Sequence, residues 1–429
     1  MRWINTFKIR FLTTLVRGVS LLLIGFALLS VSLFSCESTV RRVSPAPVAA
    51  QKKAYGLYLE ELDRGLDAVI KGSLASYAQS RQSLTFGANL VFAHGALIKR
   101  FPLDILLSYA DALKEAGDGR IEIYASPATW ADGDGETIAK YDALVDHIRK
   151  IGLAVVISPE FNYGERRIRQ FSDWQHYAVP AYREMARRYR PEIFVVVHEP
   201  TTMADRMEIT TTPDEWRGFA EEAVKAVKEA SPGTRTAAGG QYYELPYYNE
   251  LLGIAGLDIM TLNIYGVGML ETYNFMIRTA MSHGKEVYIE ETWRFPPQEP
   301  ANDKQTSDAG LPKSPPTSAK VTAPESITPA MHKETCPASK GIGLRDFEAI
   351  DGRWLEALTL YANAWGLEGI TPFWTTTFFT YVERNGDGLS DEYNSRVEEA
   401  IRGQCRTDTF RAFQALSERY GKRGGGGGN

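Results

Sequence analysis

Cysteine is scarce in this sequence. Its 429 residues hold three, at positions 36, 336 and 405, too few for a disulfide scaffold or a thiolate-ligated metal cluster. Histidine is nearly as rare. The six are scattered with no pair at ligand spacing, so no metal site is predicted. No glycine-rich phosphate loop follows the first strand, since "FAHGAL" does not supply one, and no cofactor is expected. An excess of basic charge is also missing. With 48 Lys and Arg against 53 Asp and Glu, the net charge of −5 leaves no electrostatic footprint for a nucleic-acid partner.

What is present is ordinary globular material, 44% hydrophobic and 24% charged, with aromatics at 11%. That suffices for a large core, and eight Trp with 21 Tyr also suit a cleft that stacks flat ligands. At the N-terminus Arg2, Lys8, Arg10 and Arg17 precede an apolar run from Val19 to Phe34, the pattern of an export signal. The ending "LFSC" resembles a bacterial lipoprotein lipobox, which implies acylation of Cys36 and anchoring in the membrane of the cell envelope. A retained single-span anchor is the alternative, because the run approaches the ~20 residues that cross a bilayer. Both place the remainder outside the cytoplasm. There Cys336 and Cys405 are an even pair, and a disulfide between them becomes possible.

Residues 37–52, rich in Ser, Pro and Ala, read as a tether, and a helical stretch follows near 53–80. A regular alternation then begins. Strand-like apolar runs occur at 84–91, 120–126, 153–159, 192–198, 234–239, 257–265, 285–291 and 369–375. Helical periodicity fills the intervals. In "FPLDILLSYADALKEAG" the residues Ile105, Leu106, Tyr109 and Leu113 recur every three or four positions, with Gly117 as a C-cap. "TTPDEWRGFAEEAVKAVKEASPG" starts on Thr-Pro-Asp and stops on Ser-Pro-Gly, and "DGRWLEALTLYANAWG" repeats the scheme. Eight strands alternating with helices predict a (β/α)8 TIM barrel across 53–423, with a doubly wound open sheet as the alternative.

One segment breaks the rhythm after strand seven. Residues 296–337 hold nine of the 21 prolines and no periodic apolar pattern, so 296–344 reads as a surface insertion at the C-terminal mouth. The stretch "NGDGLSDEYN" at 385–394 offers Asn385, Asp387 and Asp391 as oxygen ligands, but Asn394 stands where a calcium loop needs its bidentate Glu. A plain turn is the simpler account. Residues 424–429 are a glycine-rich tail.

Barrel chemistry sits at the C-terminal strand ends. Strand four ends His198-Glu199-Pro200, strand six Asn263-Ile264-Tyr265, strand seven Glu290-Glu291-Thr292-Trp293 and strand eight Phe373-Trp374. Strand two adds Tyr124, and Trp130 lies in the loop beyond. Two carboxylates facing each other among aromatic rings are what glycoside hydrolysis requires: one to protonate the leaving oxygen, one to attack the anomeric carbon or activate water.

With "VVVHEP" at strand four and "VYIEETW" at strand seven, the chain resembles the retaining glycoside hydrolases of the clan A barrel superfamily, which includes cellulases, mannanases, xylanases and galactanases. The resemblance runs over roughly residues 80–420. It implies a carbohydrate substrate, Glu199 as acid/base and Glu291 as nucleophile. It also implies that Tyr265 contacts the nucleophile and that Trp374 floors the central sugar subsite. His198 stands where Asn is commoner, and the arginine often found at the end of an early strand has no counterpart, Arg120 lying at the start of strand two. His198, Asn263, Trp293, Tyr124 and Trp130 are the further candidates for substrate contact. Strand alternation would put Glu290 and Glu291 on opposite faces, so Glu290 is expected in a supporting role and is the fallback nucleophile. Trp216, Trp354 and Trp365 are expected to pack between barrel and helices. A glycan-binding barrel without catalysis is the alternative function.

Overall fold

The structure is a computed structural model that describes residues 59–74, 83–161, 167–294, 344–381 and 391–421. Eight parallel strands close into a barrel in sequence order: β1 (Thr85–Asn89), β2 (Arg120–Ala125), β3 (Ala154–Pro159), β4 (Ile193–His198), β5 (Arg235–Gly240), β6 (Ile259–Ile264), β7 (Glu286–Thr292) and β8 (Gly369–Pro372). The open-sheet alternative is excluded by the pairing of β1 with β8, Thr85 opposite Gly369. All eight expected strands are present. Strand β8 stops at Pro372 because Thr375–Phe378 winds into a short 3-10 turn.

Each strand is built for burial on both faces. Val156, Ile193, Val195, Ala237, Ile259 and Tyr288 form an apolar plug, while Phe194, Val196, Val287 and Ile289 belong to the larger core shared with the helices. This in/out alternation is the strand period of two. The helix Pro213–Ala230 shows how the outer layer is specified. Thr212 and Glu215 form a reciprocal capping box, and Trp216, Phe219, Ala220, Ala223, Val224 and Val227 make its buried stripe. Trp354 is buried and Trp365 packs at the margin of the core, so these tryptophans serve packing as expected.

The N-terminal floor of the barrel is ionic. Arg120, 1% exposed, gives both terminal nitrogens to Glu368 at 2.8 and 2.6 Å, and Arg235 joins Glu368 at 2.9 Å and Glu286 at 2.7 Å. Arg120 therefore belongs to the stability end of the barrel, far along β2 from the mouth.

Several expectations lie outside the described residues: the export signal with Cys36, the tether, most of the Pro-rich insertion, Cys336, the first part of the 385–394 loop and the glycine tail. Cys405 is buried and disulfide-bonded. Asp391, offered as a calcium ligand, opens the helix Asp391–Arg402. Among the described residues no helix is long and apolar enough to cross a membrane.

Asp118 stands apart. It is 6% exposed, neither carboxyl oxygen has a hydrogen-bond partner, and burial pushes its pKa well above the usual carboxylate range. A folded-state pKa above the unfolded one means that folding takes up a proton, so stability falls as pH rises from the unfolded value toward the folded one. Asp118→Asn should remove that fall and add on the order of 1–3 kcal/mol at neutral pH. Thermal unfolding of the two proteins between pH 4 and 8, about the window in which a carboxyl group with a raised pKa loses its proton, checks it; parallel curves would refute the assignment.

Candidate active site

The end of β4 is bent into place. The register of β4 against β5 shifts between Val195 and Val197, after which His198 pairs with Gly239 and the Glu199 amide donates to the Gly239 carbonyl at 3.1 Å. Glu199 then adopts a left-handed backbone, φ 43° and ψ 73°, and opens the helix Pro200–Arg206 with Pro200 in its first turn. A non-glycine residue held there costs roughly 1–3 kcal/mol, a strain typical of functional positions. The neighbouring strand makes room for it. A Cβ on Gly240 would lie 2.0 Å from Glu244 Oε2 and 3.2 Å from Glu199 Cα, so a larger residue there would displace the Glu244 carboxylate that braces the turn.

Strand β7 carries the second irregularity, and it corrects an expectation. Leu262 pairs with Ile289 but Asn263 pairs with Glu291, leaving Glu290 as an extra residue. This bulge cancels the alternation. Glu290 and Glu291 therefore both point into the barrel instead of to opposite faces. Glu290 is fully buried and accepts from Ser158 at 2.8 Å and from His198 Nδ1 at 3.0 Å. Glu291 sits above it at the mouth.

The two carboxylates at the mouth are held by different donors. Glu199 Oε1 accepts from Gln241 Nε2 and Asn263 Nδ2, each at 2.8 Å. Glu291 Oε1 accepts from the Tyr124 hydroxyl at 2.5 Å, and its Oε2 accepts from Tyr265. His198 Nε2 faces Glu291 Oε1 at 3.5 Å. One ligating atom each from His198, Glu199 and Glu291 all lie within 4.8 Å of one another. Both glutamates are buried, at 6% and 4% exposure.

The electrostatics follow from this crowding. Burial, and then the Glu199 charge, push the Glu291 pKa up to about 7, against the lowering effects of His198, Tyr124 and Tyr265. Burial would also raise Glu290, but the His198 charge and the bonds it receives outweigh that and hold it below the usual range. For His198 burial acts downward, yet Glu290 and Glu291 outweigh it and the pKa stands well above that of free imidazole. Glu244, which accepts from Thr201 N at 2.7 Å and Gln241 N at 2.8 Å, ties the Glu199 turn to the β5 loop. Burial and the nearby Glu199 raise its pKa to about 7.

An aromatic wall surrounds Glu291. His94 lies 4.5 Å from the Tyr124 ring, Tyr124 5.9 Å from Phe373, Tyr265 6.4 Å from Phe373, and Phe373 4.7 Å from Trp374. Of the residues singled out in the sequence, His198, Glu199, Asn263, Tyr124, Tyr265 and Glu291 thus meet directly, with Glu290 beneath and partly buried Trp374 alongside. Trp130 does not join them. It packs on Tyr141 at 5.2 Å and Tyr189 at 5.9 Å, on the faces of surrounding helices. Trp293 is 5% exposed within the core, leaving little ring surface for a ligand.

Sequence reasoning passed over Gln241, Glu244, Ser158, His94 and Glu122. Gln241 directly follows β5 and was legible as a strand end. Glu122 had a clear signal too: in "RIEIYA" the residues Arg120, Glu122 and Tyr124 occupy one face and Ile121, Ile123 and Ala125 the other.

No protein-family model and no curated protein matches the chain. Among solved structures it is similar to endoglucanase Cel5A of Thermotoga maritima, at 15% identity and a TM-score of 0.45 over 76% of this chain and 99% of that one. It is also similar to a GH10 endoxylanase from a sugarcane soil metagenome (13%, TM-score 0.43, 79% and 99% covered). A GH30 endoxylanase from Clostridium papyrosolvens is a third (12%, TM-score 0.44, 79% and 72% covered). The class the chain's own strand pairing and mouth define is a (β/α)8 barrel with a buried carboxylate pair at its C-terminal end.

Because Tyr124 and Tyr265 each stabilise the charged form of Glu291, Tyr124→Phe and Tyr265→Phe should both lift its midpoint above the present value of about 7. Carbon-13 NMR of labelled glutamate carboxyls reads the shift. An unmoved midpoint in both variants would show that the phenols do not bond it.

Proposed function

We propose that the protein is a retaining glycosidase acting on β-linked poly- or oligosaccharides. The observation that carries this is the approach of Glu199 and Glu291, whose carboxylate oxygens come within 4.8 Å of each other. Retaining glycosidases hold the pair at about 5–5.5 Å, whereas inverting ones leave roughly 6.5–9.5 Å for a water. In this reading Glu291 attacks the anomeric carbon and forms the glycosyl ester. Glu199 gives its proton to the departing oxygen and then takes one from water. Tyr265 and Tyr124 aim the Glu291 oxygens, Asn263 and Gln241 aim Glu199, and the partly exposed rings of Tyr265, Phe373 and Trp374 offer flat surface for a sugar.

His198, Glu199 and Glu291 are also spaced so that a divalent ion could bind. The donor set speaks against that use. Amide and phenol groups already present hydrogens to both carboxylates, which serves anions and not a bare cation. Export and lipid anchoring through Cys36 are proposed from the sequence alone.

The test is a hydrolysis screen on mannans, glucans, xylans and galactans, with product stereochemistry followed by proton NMR. Retention of anomeric configuration and indifference to EDTA are expected. Glu291→Ala should abolish turnover while sugar binding survives, and Glu199→Gln should lower kcat by about 10²–10⁴-fold. Binding with no turnover on any glycan would instead favour the non-catalytic alternative. Full activity in Glu291→Ala with loss in Glu290→Ala would move the nucleophile by one residue.

A further inference from the structure

Beneath Glu291 lies a polar layer that the proposed reaction does not use. Glu290 and Glu122 are both fully buried there, near enough for the Glu290 charge to add to burial in raising the pKa of Glu122. Counted as carboxylates, Glu122 Oε1 and Glu290 Oε2 both lack a donor. Two buried neighbouring carboxyl groups relieve their repulsion when one carries a proton. Glu290 already receives Ser158 and His198, which favour its charge, whereas the hydroxyl of Tyr288 reaches Glu122 Oε2 only at 3.5 Å. The proton therefore belongs on Glu122.

His198 completes the chain upward. Its Nδ1 is 3.0 Å from Glu290 Oε1 and its Nε2 is 3.5 Å from Glu291 Oε1. A neutral imidazole has one donor and one acceptor nitrogen, so facing a carboxylate oxygen with each requires both protons. The groups around the ring are Glu290 and Glu291 from β7, Glu199 from the end of β4, Glu122 and Tyr124 from β2, and His94 after β1. Burial opposes a positive charge there, as does His94, whose own pKa is depressed by burial, by Arg206 and by His198.

Building on the glycosidase reading, we propose that His198 is a fixed imidazolium serving as the counter-charge of the nucleophile, held in that state by Glu290 and by a protonated Glu122 below it. His198 is a positioning residue. It supplies positive charge beside Glu291, the arginine of β2, Arg120, being spent on Glu368 at the barrel floor, and its Nδ1 is committed to Glu290, leaving at most Nε2–H to reach a substrate.

Nitrogen-15 NMR of the full chain labelled at histidine tests this without any substrate. With six histidines in the chain, His198→Asn assigns the signal. One imidazole should stay doubly protonated at least about one pH unit beyond the ordinary midpoint of 6.5, while the His94 ring is neutral over the same range. Glu290→Gln should bring the His198 midpoint down by at least about one unit. Glu122→Gln replaces a neutral acid by a neutral amide and should leave the midpoint where it is. A His198 that loses its proton at or below about 6.5 in the unsubstituted protein overturns the proposal. A midpoint lowered by Glu122→Gln overturns the protonated state of Glu122. Under the glycosidase reading, Glu290→Gln should also move the alkaline limb of kcat to lower pH with KM changing less than twofold or so. Absence of hydrolysis in the unsubstituted protein would remove the proposed function, while the NMR result would still decide the charge of His198.

Discussion

The constraint on which the upper barrel depends is the burial of negative charge. Glu122, Glu199, Glu244, Glu290 and Glu291 are all buried and sit at or just below one mouth. Water is not available to separate them, so each needs a hydrogen-bond donor, a cation or a proton of its own. The structure supplies all three. Amides hold Glu199, phenols hold Glu291, His198 and Ser158 hold Glu290, and Glu244 binds backbone amides. Each device fixes the direction of the carboxylate it serves, so relief of repulsion and alignment of the site are one arrangement.

The two ends of the barrel handle charge by opposite means. At the floor Arg120 and Arg235 meet Glu192, Glu286 and Glu368 in near balance, and the result is structural. At the mouth the acids outnumber the cations. Between them the plug of Val156, Ile193, Val195, Ala237, Ile259 and Tyr288 separates the layers. A low-dielectric spacer of this kind keeps the floor arginines from satisfying the mouth glutamates, so that burial, and then the charge of Glu199, raise the Glu291 pKa.

Much of the fold was legible because period and punctuation are local. β-branched runs such as "IFVVVH" and the capped helix Pro213–Ala230 state their structure within a few residues. The ends of β4, β6 and β7 were legible for the same reason, once the barrel was inferred. Two kinds of feature were not. A bulge is a relation between strands, so nothing in "VYIEETW" shows that Glu290 is the extra residue. Trp130 looked like a mouth aromatic because it follows β2, but the short helix Pro127–Ala131 turns it outward onto Tyr141 and Tyr189. Glu122 was missed for a simpler reason, since attention to strand ends passes over a charge in mid-strand.

The bulge in β7 also makes chain length a chemical variable. Eight strands of even alternation can offer the cavity every second side chain and no more. By taking in one residue more than its neighbour, β7 delivers two successive acids to the same lumen, one to the mouth and one to the layer below. Removing or adding a single residue between Ile289 and Thr292 would leave composition and hydrophobicity nearly untouched. It would nevertheless exchange the roles of everything beyond, sending a carboxylate into the helical shell. In this barrel a deletion there is a more drastic edit than most substitutions, because the spacing of the backbone, and not only the identity of the side chains, encodes the site.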